Sequence, residues 1–283
     1  MSCDDMPPVS VALDKSEIEE LTLYIQKKGL KRVRPKTEYE LLRIKDGKIS
    51  IVVYTSGKVV HNGSKESQQV IDAILKKEQY DYILGSDEAG KGEWYGPLVV
   101  EGVALTPDFI IECRRMGVRD SKSIAKQQLL NLAQKLVKKK FPRKLVILKP
   151  EVYNSKYKEF QNEGKNLNDM LAWAHSAAIK DLLKEIKFNN AKVVIDKFDF
   201  QKTEYRLAGV DRTNLEIIQK TKGESEISVA LASIIAKYIF ENEVDKLNKK
   251  YKIDLRKTKP ADIEPKILPL VAKLHFKNVK KHL

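Results

Sequence analysis

Two adjacent carboxylates, Asp87 and Glu88, sit inside the run Gly85-Ser86-Asp87-Glu88-Ala89-Gly90-Lys91-Gly92-Glu93. Carboxylates are hard oxygen donors suited to a divalent cation, and glycines beside them let a backbone approach a phosphate closely. The run follows the apolar Tyr82-Ile83-Leu84 and precedes Gly96-Pro97 and a second apolar stretch, Leu98 to Leu105. Asp and Glu are depleted in strands and costly to bury unpaired, so the pair requires a reason. A solvated acidic hairpin turn is the other reading. Two more acids stand where apolar runs break: Asp196 after Val193-Val194-Ile195, and Glu224 ahead of the helix Ile227–Phe240. Strand ends and helix starts of an α/β sheet tend to converge on one edge. Four carboxylates gathered there repel one another unless cations lie between them. Two Mg²⁺ ions about 3.5–4 Å apart, bridged by such oxygens, are the usual arrangement for in-line phosphodiester displacement. Each acid also has a plain structural reading. Asp196 can accept hydrogen bonds at a turn, and Glu224 can be a helix-start acid, a place for which Glu226 competes.

Other chemistries find less support. His61, His175, His275 and His282 show no ligand spacing for zinc. No serine lies in a Gly-x-Ser-x-Gly nucleophile elbow, and Gly90-Lys91-Gly92 is too short for a phosphate-binding Walker loop.

The elements that must position these acids fall into two regions. Residues 1 to about 12, with Pro7-Pro8, carry little pattern and read as a disordered tail. Ser16 to Lys28 reads as a helix with an acidic first turn, stopped by Gly29. Glu40 to Ile44 and Lys48 to Tyr54 read as strands joined by the Asp46-Gly47 turn, a good hairpin signal. Ser56-Gly57 leads into a strand over Lys58 to His61, and Ser67 to Lys77 is amphipathic. This makes an α+β module over residues 1–78. Residues 79–283 form the second region, with strands expected at 81–86, 97–106, Leu145 to Leu148, Ala191 to Asp196 and Leu215 to Ile218. Helices are expected over Ile124 to Lys140, capped by Ser123, over Leu167 to Lys187 and over Ile227 to Asn248. Paired strands followed by strands alternating with helices point to a mixed α/β sheet.

The net charge of +14 and pI near 9.4 suit a polyanionic partner. Lysine decoration of a thermophile surface is the alternative, but there glutamates balance the lysines, whereas 53 basic residues here face 39 acidic ones. Cys3 and Cys113 are far apart and outside any ligand-spaced pair, which fits a reducing cytosol. The first residues lack the basic and apolar regions of a secretory signal, and no apolar stretch approaches the roughly 18 residues of a membrane span.

Taken together the motifs resemble type 2 ribonucleases H, the HII/HIII group. Asp87 to Glu93 with Gly96-Pro97 is similar to that group's opening motif, and Asp120-Ser121-Lys122 to its Asp-Ser-Lys element. Val194-Ile195-Asp196 resembles the strand carrying the third acid. Gly223-Glu224-Ser225, with Val229 to Lys237, resembles the fourth acid and its Ala/Ser-rich helix. Asn166 to His175, the glutamate in fourth place and the ending Lys273-Leu274-His275-Phe276-Lys277 resemble the HIII branch. So does the N-terminal module, most clearly at Tyr54 to Val59, which resembles a TATA-binding-protein-like substrate domain. The resemblance implies a ribonuclease H-like mixed sheet flanked by helices behind that small domain. It implies cleavage of the RNA strand of RNA/DNA hybrids to 3′-hydroxyl and 5′-phosphate ends, with Mg²⁺ or Mn²⁺. Asp87, Glu88, Asp196 and Glu224 would be the catalytic and metal-binding set. Gly90, Lys91 and Gly92 would read 2′-hydroxyls, with Ser121, Lys122, Asn166 and Asn168 also on the substrate. A monomeric cytoplasmic enzyme is expected.

Overall fold

The computed structural model describes residues 8–75, 80–118, 124–196, 200–220 and 226–283, with Asp196, Phe200, Gln219 and Lys220 described by their backbone alone. Its chain divides into two compact units, Met1–Gln79 with Pro107–Arg119, and Tyr80–Thr106 with Asp120–Leu283.

The first unit is a five-stranded antiparallel sheet, order β1-β5-β4-β3-β2, built from Val9–Ala12 (β1), Arg32–Val33 (β2), Glu40–Asp46 (β3), Ile49–Tyr54 (β4) and Lys58–His61 (β5). Helix Lys15–Lys27 (α1) begins in a capping box in which Asp14 accepts from the Glu17 amide and Glu17 from that of Asp14. It ends at Gly29, whose φ of +66° suits a residue without a Cβ. Helix Lys65–Ile74 (α2) is capped by Ser64. Alternation along the strands sends Ile44, Ile51, Val53 and Val59 into a core with Leu21, Ile25, Val70 and Ile71 of the helices. Val9–Ala12 corrects the expectation of a disordered tail up to residue 12: it pairs along β5 from Val9↔His61 to Ala12↔Lys58.

Helix Pro107–Arg115 (α3), a segment that the sequence places with the later region, groups with this first unit. Its Ile111 packs on the same core, and Arg114 and Arg115 pair with Glu17 and Asp72.

The second unit holds a mixed sheet of order β10-β9-β6-β7-β8. Tyr82–Ala89 (β6), Leu98–Leu105 (β7) and Arg143–Leu148 (β8) run antiparallel, while Ala191–Asp196 (β9) and Leu215–Lys220 (β10) lie parallel to β6. Two glycines let helices settle on opposite faces. A Cβ on Gly85 would stand 2.7 Å from the Val229 amide nitrogen of Ile227–Tyr251 (α8), and one on Gly102 would stand 3.1 Å from Ala178 Cβ of Leu167–Glu185 (α6). Helix Lys126–Leu136 (α4) starts two residues later than expected, with Ala125 rather than Ser123 at its N-cap; Ser123 lies outside the described residues. Sequence patterning missed Pro150–Asn162 (α5) and Phe200–Arg206 (α7). The first is largely polar and buries little beyond Pro150, Tyr153 and Phe160. Two short helices, Leu268–Val271 (α9) and Lys277–Lys280 (α10), close the chain. Among the described residues no helix is long and apolar enough to cross a membrane.

Candidate active site

The strand β6 does not stop at the acids: it runs through them to Ala89, with Asp87 opposite Glu101 and Glu88 opposite Val100 of β7. The solvated-turn reading of Asp87 and Glu88 is therefore wrong in its geometry, because cross-strand pairing to Ala89↔Val99 fixes both residues in the sheet. Successive strand residues face opposite ways. Asp87 turns toward α8, where the Ser233 hydroxyl donates to it, and Glu88 turns toward α6, where it meets His175. Parallel pairing of β6 with β9 ends at Gly85↔Val194. Asp87 and Asp196 each lie two residues beyond that pair, so their backbones stand at the same end of neighbouring strands. The side chain of Asp196, and Glu224, Ser121 and Lys122 entirely, lie outside the described residues.

The electrostatics of the described pair are unequal. Burial, then the neighbouring charge of Glu88, pushes the Asp87 carboxyl up, against the hydrogen bond from Ser233. Burial also opposes ionisation of Glu88, but the hydrogen bond and charge of His175, with the Lys91 ammonium, outweigh it and hold Glu88 low. Lys91 Nζ stands 3.3 Å from Glu88 Oε1, and His175 Nε2 stands 3.2 Å from Oε2. The other ring nitrogen, Nδ1, is 2.9 Å from Ser86 Oγ. With Glu88 ionised, Nε2–H donates to it, while Nδ1 faces the Ser86 hydroxyl. Ser86 and Glu88 share a strand face, so one imidazole bridges both. Glu101, opposite Asp87, is fully buried, pushed up to about 7 by burial and held by Arg143 Nε at 2.7 Å. Its dedicated guanidinium makes it a structural ion pair.

The glycine-rich segment is shaped by close approach at one position and by openness at another. Gly90, at φ +87°, has no room for a Cβ against the Pro97 carbonyl and the Phe240 ring. A Cβ on Gly92 would meet nothing within 4 Å, so this backbone faces open space. Asn166 is the N-cap of α6: its Oδ1 accepts from the Asn168 amide at 2.9 Å, and Asp169 completes a capping box.

A family profile described as ribonuclease HII matches residues 84–280. A ribonuclease HIII from Chlamydia caviae is 30% identical, covering 89% of this chain and 90% of its own. One from Chlamydia trachomatis serovar L2 is 32% identical over 83% and 84%. The chain belongs to the ribonuclease HIII family. The crystal structure of Bst-RNase HIII in complex with Mn²⁺ has the same fold, with a TM-score of 0.61 at 23% identity and 98% of both chains covered. The family is one of metal-dependent endoribonucleases acting on RNA/DNA hybrids, and the chain is an enzyme of that kind.

Among the described residues no three histidine, cysteine or acidic side chains gather closely enough to hold a metal ion, and Asp87 and Glu88 are the oxygen donors there of the kind a divalent cation takes. Adjacent oxygen donors at a strand edge, one of them kept from ionising freely by burial and its neighbour, are what a hard cation relieves. His175 is the residue that sequence reasoning passed over, because histidines were weighed only as zinc ligands. Strand alternation already puts Ser86 and Glu88 on one face, but which helix covers that face is a matter of topology. Outer-shell partners that orient a metal-binding carboxylate typically matter about 10–100-fold. We expect His175→Ala to lose activity on that scale, and His175→Gln, whose amide can still donate to Glu88, to recover part of it. Steady-state cleavage against metal concentration checks this; an unchanged metal dependence in His175→Ala would show that Glu88 needs no such support.

Proposed function

We propose that Asp87, Glu88, Asp196 and Glu224 hold Mg²⁺ or Mn²⁺ and carry out hydrolysis of the RNA strand, leaving 3′-hydroxyl and 5′-phosphate ends. The observation that supports this most is the shared register: Asp87 and Asp196 each stand two residues past Gly85↔Val194, at the same end of neighbouring strands. Bound there, divalent cations supply charge neutralisation for an in-line displacement and a water of lowered pKa. The chain's own residues would do the rest. Ser233 and His175 fix the two described carboxylates, and the open backbone at Gly90 to Gly92, with Lys91, would lie along the RNA strand and read its 2′-hydroxyls. Ser121 and Lys122 would contact the substrate backbone, and the α6 start, Asn166 with Asn168, would flank it. The first unit would act as a TATA-binding-protein-like substrate-binding domain, in a monomer working in the cytoplasm.

For the fourth acid we expect Glu224→Gln to cripple cleavage and Glu226→Gln to be tolerated. Glu226 is the N-cap of α8 and makes no side-chain cap hydrogen bond there, a place where the helix dipole favours an acid. The opposite result would move the site by two residues.

The proposal is tested with one labelled RNA strand presented free, in duplex RNA, in an RNA/DNA hybrid and as a single ribonucleotide in duplex DNA, each with Mg²⁺, Mn²⁺ or chelator. Cutting in the hybrid at several internal positions, only with metal, is expected. Efficient nicking at the lone ribonucleotide would shift the reading toward HII-type activity, and metal-independent binding without cleavage would overturn it.

A further inference from the structure

The turn from Gly90 to Gly96 is held at its far end by the C-terminal segment of the chain rather than by its own residues. Lys273 makes three of the contacts. Its amide donates to the Trp94 carbonyl at 2.7 Å, and its Nζ donates to the carbonyls of Glu93 at 3.0 Å and Tyr95 at 2.9 Å. Three consecutive carbonyls of the turn thus converge on one residue. Around them, the Gly96 amide donates to the Val271 carbonyl at 2.8 Å, and Tyr95 forms an isolated antiparallel bridge with Ala272. The C-terminal segment is itself anchored, since Asn154 of α5 donates to the Ala272 carbonyl at 2.9 Å and accepts from the Leu274 amide at 2.9 Å.

A lysine is an unusual choice for this place. Lys273 is 0% exposed, and its amino group lies 5.6 Å from the centre of the Tyr153 ring and 5.9 Å from that of Phe240. Lysine is almost never fully buried without cause. Burial pushes this amine down to about 7, so near neutrality it loses a proton readily, and a neutral amine has two N–H donors for the two carbonyls that Nζ meets. Adjacent peptide carbonyls in extended chain point to opposite sides. Those of Glu93 and Tyr95 both meet Nζ, and that of Trp94 between them meets the amide, so one residue fixes three successive peptide groups. Phe240, one wall of the amine's surroundings, is also the ring against which Gly90 packs. The lysine and the glycine thereby share a neighbour.

We propose that Lys273 is a positioning residue for substrate recognition: by gathering the carbonyls of Glu93 to Tyr95 it sets where the backbone of Gly90 to Gly92 lies against the RNA strand. This inference rests on the reading of Gly90 to Gly92 as the 2′-hydroxyl contact. Lys273 touches no reacting atom, so its loss acts on discrimination between substrates rather than on the hydrolytic groups.

The experiment compares kcat/KM on a hybrid whose RNA strand is entirely ribose with that on hybrids carrying one 2′-deoxynucleotide, placed in turn at each position around a single cut. The wild-type enzyme is expected to disfavour 2′-deoxy at one or two of these positions. In Lys273→Met, which keeps the bulk between the rings and removes the buried amine, that preference is expected to shrink about 10–100-fold, the scale of effect of a small misplacement in a bound complex. A variant that is merely less folded would lose rate on every substrate equally and keep the ratio. Lys273→Met removes the desolvation cost of the amine but leaves the Glu93 and Tyr95 carbonyls without that donor, so a cooperative melting transition is recorded alongside to show that the variant is folded. Lys273→Gln, too short to reach both carbonyls, should lose the preference as well. Either folded variant retaining the wild-type ratio overturns the role of Lys273. A wild-type enzyme with no 2′-deoxy preference at any position instead overturns the reading of the glycine turn on which it rests.

Discussion

Asp87→Asn is expected to abolish hybrid cleavage, lowering kcat by about 10³-fold or more, which is roughly 4 kcal/mol of barrier, while leaving the metal-free protein at least as stable as wild type. The two halves of this result have one cause. Asp87 sits half-buried in the sheet beside Glu88, and burial and that neighbour both oppose its ionisation. A carboxyl raised in the folded state contributes stability below its unfolded value of 3.8, and that stability is lost as pH rises through the higher folded value. At neutral pH without metal the group is therefore a source of strain. Asparagine keeps the shape and an oxygen that can accept from Ser233, and removes the charge. The variant should melt higher than wild type in chelator, most clearly on the neutral side, with the difference closing toward acid. Added Mg²⁺ or Mn²⁺ should raise the melting temperature of wild type by mass action and that of the variant far less. Hybrid binding should survive. Normal turnover in Asp87→Asn would remove it from the catalytic set. A lower melting temperature in chelator would mean that its charge serves the fold and not a cation.

Much of this site could be read before any coordinate was known, because its signals are local. A strand ending in acids and glycines, an acid after Val193-Val194-Ile195 and a helix start near Glu226 each show in a window of a few residues. The hairpin at Asp46-Gly47 and the stop of α1 at Gly29 were equally legible, since in each a turn needs a positive φ, +53° and +66°. What could not be read depends on partners distant in sequence. Val9–Ala12 is too short to announce itself and becomes a strand only because β5 offers it an edge. Helix α3 follows β7 directly, yet its Ile111 packs in the other unit, and nothing between Thr106 and Pro107 marks the change. His175 reaches Glu88 across 87 residues of sequence, and Lys273 reaches Glu93 across 180. Both were visible as residues but not as neighbours. Patterning also placed the acids in a turn, because Asp and Glu are poor strand formers; tertiary pairing with β7 overrode that preference.

The same distinction bears on how the first unit should be tested. Removing residues 1–78 would strip from Ile111 of α3 the core it packs against, so a failing truncation would report on exposed apolar surface as much as on substrate. Charge reversal on the face of its sheet opposite that core avoids this. Alternation that turns Ile44, Ile51 and Val59 inward turns Arg43 and Lys45 of β3, Tyr54 of β4 and Lys58 of β5 to the other side. Arg43 is engaged by Glu40, with Nη2 to Oε1 at 2.6 Å, whereas Lys45 and Lys58 are exposed. Lys45→Glu combined with Lys58→Glu is expected to weaken hybrid binding by about tenfold or more at low salt, with kcat at saturation unchanged. The slope of log affinity against log salt should fall by about 2 if each lysine neutralises one phosphate. Lys27→Glu with Lys65→Glu changes the net charge equally on the two helices and should weaken binding little. If both pairs lose affinity alike, the attraction comes from overall charge and this face of the sheet has no particular claim to the hybrid. If only the sheet pair does, the basic excess of this chain is placed rather than merely present, and the first unit presents its strands, not its helices, to the nucleic acid.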